Sequence, residues 1–243
     1  MSNNDKPNPA PASAPRFYKT ASVAEGGGRF RVLLDGKPVR TPAKNELALT
    51  TRALADAIAG EWNAQAARIE PATMPLTRLA NSIIDGVIGR EAEVRRDIAK
   101  YAESDLVCYR ADNPHELVAR QAKAWNPVLI WAQKALGARF EVAEGVMPVR
   151  QSDAAIALVG KALEAYDAHR LAALHLMTSL MGSALLALAH ARGHLSAEEA
   201  WAAAHVDEDW QISQWGEDAE AKARRDRRWA DMQAASRLIR LLD

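Results

Sequence analysis

The stretch FYKTASVAEGGGRFRVLLDGKPVRT, residues 17–41, decides the fold class, because it carries the strand signals of the chain and carries them ahead of every helix signal. FYKTASV and RFRVLLDG are rich in β-branched and aromatic residues in partial alternation, the pattern of half-buried strands. Gly26, Gly27 and Gly28 join them as a hairpin loop. Asp35-Gly36 offers the positive φ angles of a second tight turn, and KPVRT returns as a third strand ending at Pro42. A phosphate-binding reading of the three glycines fails on context. A dinucleotide loop follows a strand and opens a helix with G-x-G-x-x-G spacing.

Outward from this meander the chain reads as helices. Thr51 can cap a helix with Leu54, Ile58, Trp62 and Gln65 along one stripe, and Pro75 suits the first turn of another with Leu76, Leu79, Ile83 and Val87, ending at Gly89. Val94, Ile98 and Tyr101 mark a third helix, DLVCYR a short apolar link and Asp112-Asn113-Pro114 a turn. Leu117, Gln121 and Trp125 follow, disturbed at Pro127, before Leu129, Trp131 and Leu136 and a stop at Gly137. RFEVAEGVMPV does not decide between strand and loop. Ser152 can cap a helix with Ile156, Val159, Leu163 and Tyr166; Ser196-Ala-Glu-Glu199 is a capping box; Trp229, Met232, Ser236 and Ile239 line a last helix. Strands first and helices afterwards is the order of an α+β protein. The expected organisation is a disordered leader over 1–15, a β-containing N-terminal domain over 16–89 and an α-helical C-terminal domain over 90–243.

Composition narrows the function. The 243 residues carry 31 Lys plus Arg against 31 Asp plus Glu, so no net field concentrates nucleic acid, anionic lipid or a charged substrate. One cysteine, Cys108, excludes an internal disulfide and any zinc site needing two thiolates from one chain. The leader lacks the apolar run of a signal peptide and the arginines of a mitochondrial leader, so the expected location is the bacterial cytoplasm, or the mitochondrial matrix for a processed form. Leu171 to Ala191 contains no Asp, Glu, Lys or Arg and is long enough to cross a bilayer. It is nevertheless Ala-rich and carries His175, Thr178, Ser179, Ser183 and His190, which fits a helix buried in a core.

Catalytic signals are weak throughout. No Walker motif or G-x-S-x-G elbow occurs. His190 and His194 are interrupted by Gly193, His169 and His175 are too far round a helix to converge, and His205 is isolated. Cys108 lies in an apolar segment where burial makes a thiol inert. Arg224, Arg225, Arg227 and Arg228 suggest a nucleic-acid face, yet Asp226, Glu217, Asp218 and Glu220 balance them as a solvated helix side would. Trp210 and Trp215, in DEDWQISQWGEDAE, mark that segment as a surface anchor. An enzyme with a dispersed active site and a nucleic-acid adaptor stand as the alternatives to a binding protein.

The motifs RFYK at 16–19, LDGKPVRTP at 34–42, EWNAQ at 61–65, MPLTRL at 74–79, SIID at 82–85, DLVCYR at 105–110, the Gln121, Trp125 and Pro127 spacing, Trp131, and QISQWG at 211–216 occur in order. Together they resemble the F₁ ATP synthase assembly chaperones of mitochondria and α-proteobacteria, in the branch that attends the α subunit. The resemblance implies a non-catalytic chaperone without cofactor or metal. It would bind the free α subunit of the F-type ATP synthase and shield its subunit interface until the β subunit arrives, as a monomer, without nucleic acid or membrane insertion. In that family an acid shortly after the C-terminal Trp-Gly is implicated in function, so Gln211, Trp215, Gly216, Glu217, Asp218 and Glu220 become the client-binding candidates. Related mitochondrial sequences place a glutamate and then His-Asp there, whereas this chain reads EDAEAKARRD, which leaves the corresponding acid open among the three.

Overall fold

The computed structural model describes residues 14–145 and 147–243. The expected disorder of residues 1–13 lies outside the described residues, and the last two residues of the expected leader do not follow it. Ala14–Pro15 form a short strand paired antiparallel with Arg68–Ile69. The chain divides into two compact units, the first running to Asp85 and the second from Gly86 to Leu241.

The first unit contains β1 (Ala14–Pro15), β2 (Ala21–Gly26), β3 (Arg29–Leu34), β4 (Lys37–Pro38), β5 (Ala48–Leu49), α1 (Arg52–Asn63), β6 (Arg68–Ile69) and α2 (Pro75–Ser82). Strands β2, β3 and β4 form an antiparallel meander, with β5 also on β3. Both hairpins close with two-residue turns whose central residues all have positive φ: Gly27 and Gly28 at 63° and 70°, Asp35 and Gly36 at 47° and 80°. Turns of that hand match the right-handed twist of the strands. The first strand is shorter than the alternation in FYKTASV suggests. The Asp35 carboxylate accepts the Lys19 N–H at 3.0 Å and the Thr20 N–H at 2.9 Å, so this backbone is committed to a turn before Ala21. Helix α1, capped by the Thr51 hydroxyl accepting from the Leu54 N–H, buries Leu54, Ala55, Ile58 and Ala59 on the sheet.

Most of the polar motif residues in this unit are spent on the fold. Glu61 accepts the Leu76 and Thr77 N–H groups, each at 2.8 Å, and the Thr77 hydroxyl at 2.7 Å. It thereby caps α2, which opens on Pro75 without a capping side chain of its own. Asn63 exchanges two hydrogen bonds with the backbone of Ala21, mimicking a strand partner. Gln65 departs from the expected helical stripe: α1 ends at Asn63, and the buried Gln65 amide accepts the Glu70 N–H at 2.7 Å and donates to the Glu61 carbonyl at 3.0 Å. Asp85 holds the loop after β4 through the Thr41 hydroxyl at 2.6 Å, the Ala43 N–H at 3.0 Å and the Asn45 amide at 2.9 Å.

The second unit contains α3 (Glu91–Tyr101), β7 (Tyr109–Arg110), α4 (His115–Leu136), β8 (Ala143–Glu144), α5 (Asp153–Leu163), α6 (Ala168–Met181), α7 (Ala184–Ala191), α8 (Ala197–Ala204), α9 (Val206–Trp215) and α10 (Ala219–Leu241). Its core is α6 and α7, with α3, α4, α8 and α10 packed against one or both. Two expectations change. The charge-free run is two helices, because Gly182 adopts the left-handed conformation at φ 65° and Ser183 caps a new helix through the Leu186 N–H. Pro127 does not interrupt α4, which runs 22 residues around a buried Trp125 whose indole donates to the Ala203 carbonyl at 2.6 Å. Within RFEVAEGVMPV, left open between strand and loop by the sequence, Ala143–Glu144 form β8, which pairs parallel with β7.

Asp105 secures the α6–α7 break. Fully buried, it accepts the Leu185 N–H at 3.1 Å and the Val107 N–H at 3.3 Å, so one carboxylate ties the DLVCYR link to the start of α7. Burial pushes its pKa up to about 6 against these hydrogen bonds. Burial likewise pushes the Cys108 thiol up to about 12, far from a reactive thiolate. His190 is satisfied by the Leu195 carbonyl at 2.9 Å and Ser236 at 3.0 Å, and His194 stacks on Trp131. Among the described residues no helix is long and apolar enough to cross a membrane.

Candidate functional site

The segment from Gln211 to Glu220 is the end of α9, a tight corner and the start of α10. Helix α9 carries Asp207, Glu208 and Asp209 in its first turn, where the partial positive charge of the helix favours them. Its two tryptophans point apart, as residues five positions apart on a 3.6-residue turn do. Trp210 is buried beneath the Arg120 guanidinium at 4.8 Å, so it is a core residue and not the surface anchor the sequence suggests. Trp215, on the last turn, is 79% exposed.

The corner is made by Gly216, at φ 86° and ψ 171°. That conformation belongs essentially to glycine. A Cβ there would meet nothing within 4 Å, so backbone conformation and not space requires the glycine. The chain leaves α9 in a fixed direction and enters α10 through Asp218, whose carboxylate accepts the Ala221 N–H at 2.7 Å as a helix cap.

The three candidate acids therefore have different employment. Asp218 caps a helix, and Glu220 pairs with Arg224 at 2.8 Å one turn on. Among the described residues Glu217 forms one ion pair, a long contact of 4.0 Å to Lys222, and adds to the negative field at Arg225. Three of the four clustered arginines of α10 are similarly engaged, Arg224 with Glu220. Arg225 binds Asp209 at 2.5 Å, joining α10 to α9, and Arg228 donates to the Leu180 carbonyl near the end of α6. Burial works against the Arg225 charge, but Asp209 and Glu208 hold its pKa above the ordinary value. These pairings make the cluster a charge-balanced helix side.

Gln211, Trp215, Gly216, Glu217 and Asp218 line one cleft of about 270 Å³, whereas Glu220 stands outside it. Sequence reasoning missed five further lining residues: Glu208, Ile212, Ala221, Lys222 and Arg225. The spacing of Glu208, Gln211, Ile212 and Trp215, three or four residues apart, is the signal that could have found the α9 face. A second cleft of about 200 Å³, lined by Trp201 and Trp229, shares Glu217, Lys222 and Arg225 with the first. Glu217 thus sits on the ridge between two tryptophan-lined hollows. No group of His, Cys, Asp and Glu able to hold a metal occurs among the described residues. The chemistry offered is an exposed indole beside a loosely held carboxylate, a recognition surface for a protein with apolar and cationic groups.

The family model of the ATP12 chaperone protein matches residues 15–133, short of this cleft. Solved structures resemble nearly the whole chain. One is a protein from Agrobacterium tumefaciens described as a proposed chaperone, at 51% identity and a TM-score of 0.91 over 95% of this chain and 87% of that one. Another is Atp12 from Paracoccus denitrificans, at 39% identity and a TM-score of 0.88 over 95% of this chain and 99% of that one. An aspartate-to-lysine mutant of the Paracoccus protein matches with the same identity and TM-score, over 98% of its length.

Proposed function

The chain belongs to the ATP12 chaperone family, and from that premise we propose that it assists ATP synthase assembly by binding the free α subunit of the F-type enzyme. The α9–α10 corner is the contact surface in this reading. It shields the α surface that later meets the β subunit and leaves when that partner arrives. The protein works as a monomer without catalysis, in the bacterial cytoplasm or, in an organellar form, the mitochondrial matrix.

The observation that carries the assignment of the site is Trp215. A large apolar side chain left 79% exposed at the end of a helix, next to a corner that only glycine can form, has no role in the core. Tryptophan is enriched among the few residues that dominate protein interfaces. Glu217, held among the described residues by one long ion pair, is the acid best placed to orient a cationic group of the client.

The test is aggregation of isolated α subunit, followed by light scattering without ATP. The protein suppresses aggregation and Trp215→Ala abolishes most of that protection. Charge reversal is made at Glu217 alone, since Asp218→Lys would also remove the α10 cap. Protection left intact by both Trp215→Ala and Glu217→Lys would overturn the site, and failure of the unmodified protein to protect the α subunit would overturn the client.

A further inference from the structure

Another exposed aromatic lies in the first unit, and client binding at the α9–α10 corner gives it no role. Phe17, in the RFYK motif, is 73% exposed although the residues around it are fixed in place. The Arg16 N–H donates to the Ala67 carbonyl at 3.0 Å and its guanidinium to the Lys19 carbonyl at 2.7 Å. The Lys19 N–H is held by Asp35 at 3.0 Å. Behind Phe17 runs a locked ladder. Its ring meets the edge of Tyr18 at 5.4 Å, Tyr18 meets Trp62 at 5.6 Å, and the Tyr18 hydroxyl donates to the Trp62 carbonyl at 2.6 Å.

These rings line a cleft of about 430 Å³ together with Leu34, Pro38 and Val39. That volume is within the range of ligand-binding clefts. An aromatic group already fixed before binding loses little conformational entropy on contact, which favours use as an anchor. Its rim has a definite charge. Lys37, Arg40 and Asp35 line it, and both Asp35 oxygens are taken by the backbone of the 19–20 turn. Arg40 gives one N–H to the Lys44 carbonyl at 2.9 Å, and neither it nor Lys37 forms an ion pair among the described residues. The rim therefore carries one net positive charge, from two cations in no ion pair among the described residues and the Asp35 carboxylate, whose hydrogen bonds hold it ionised.

We propose that this cleft binds an extended protein segment in which an apolar side chain is flanked by carboxylates, the apolar group seated against Phe17 and Trp62 and the acids meeting Lys37 and Arg40. The short β4, with Pro38 lacking an N–H, offers little backbone pairing, so the recognition rests on side chains.

The experiment is titration of the ¹⁵N-labelled full chain with two peptides, acetyl-Glu-Leu-Phe-Glu-amide and acetyl-Lys-Leu-Phe-Lys-amide, followed by NMR. The acidic peptide shifts the Trp62 indole N–H and the amides of Phe17, Lys37 and Arg40, and the lysine peptide does not. Phe17→Ala weakens binding about tenfold or more. Lys37→Glu, at an exposed position that leaves the fold intact, reverses the preference between the peptides. No shift at millimolar peptide overturns the proposal, as does equal binding of both peptides or a response centred outside the cleft. Shifts of the same amides on raising protein concentration alone would assign the cleft to a second copy of the chain and equally overturn it.

Discussion

The polar motif residues of the first unit and those of the Gln211–Glu220 segment at the α9–α10 corner are used by the structure in opposite ways. Glu61, Asn63, Gln65 and Asp85 have their hydrogen-bonding capacity taken up inside the first unit. At the corner Asp218 and Gly216 are consumed by the turn itself, while Trp215 stays exposed and Glu217 is loosely held. A conspicuous motif therefore marks either architecture or contact. What separates them is whether the residue has a partner within its own unit.

Glu61→Ala is the strongest attempt to break this contrast. It leaves two helix-start N–H groups and a buried Thr77 hydroxyl without their acceptor, so urea denaturation loses about 3 kcal/mol of stability. A loss under about 1 kcal/mol, on the order of a surface substitution, would mean that the motif is not structural. Gly216→Ala comes next, at about 2 kcal/mol, because a side chain is forced into a glycine-only conformation without any steric clash. Its thermal midpoint falls, and protection of the α subunit falls with it as the corner relaxes.

Asp105 gives a pH test of the second unit. Its folded pKa of about 6 stands above the ordinary carboxylate value, so the folded state binds more protons through the interval between them. The stability of the unmodified protein relative to Asp105→Asn accordingly rises as pH is lowered from 7 to 5, by about 1 kcal/mol, and levels off below the unfolded pKa. A difference that is flat with pH would show the carboxylate to be solvated. The smallest expected change in stability is at Trp215→Ala, within about 0.5 kcal/mol, alongside the largest loss of client protection. Stability and function moving together there would remove the distinction between the two regions.

Much of the fold was legible because it is written in local chemistry. Asp35-Gly36, Thr51, Ser152 and the Ser196–Glu199 box act within three or four residues of themselves, and each does in the structure what its type implies. Gln65, Pro127 and Trp210 misled because tertiary packing overrode local pattern. The amide of Gln65 is worth more folded back on a loop than on a helix stripe, and the burial of Trp125 and its neighbours carries α4 past a proline costing about 3 kcal/mol. Gly182-Ser183 was hidden inside an apolar run, where composition announces burial but not the break.

For the candidate site, the polar surroundings of Trp215 marked the segment and the family resemblance pointed to the acids after Trp-Gly, while glycine conformation and helix capping are properties of single residues. The sequence by itself also determined the α+β order, the absence of net charge and the inert cysteine. Only the tertiary structure decided which tryptophan faces solvent and which acid remains loosely held. Those are properties of partners distant in the chain: Arg120 over Trp210, Asp209 on Arg225, and a carboxylate at position 105 buried against a helix eighty residues on. Burial and pairing are settled between elements, and no spacing within one element encodes them.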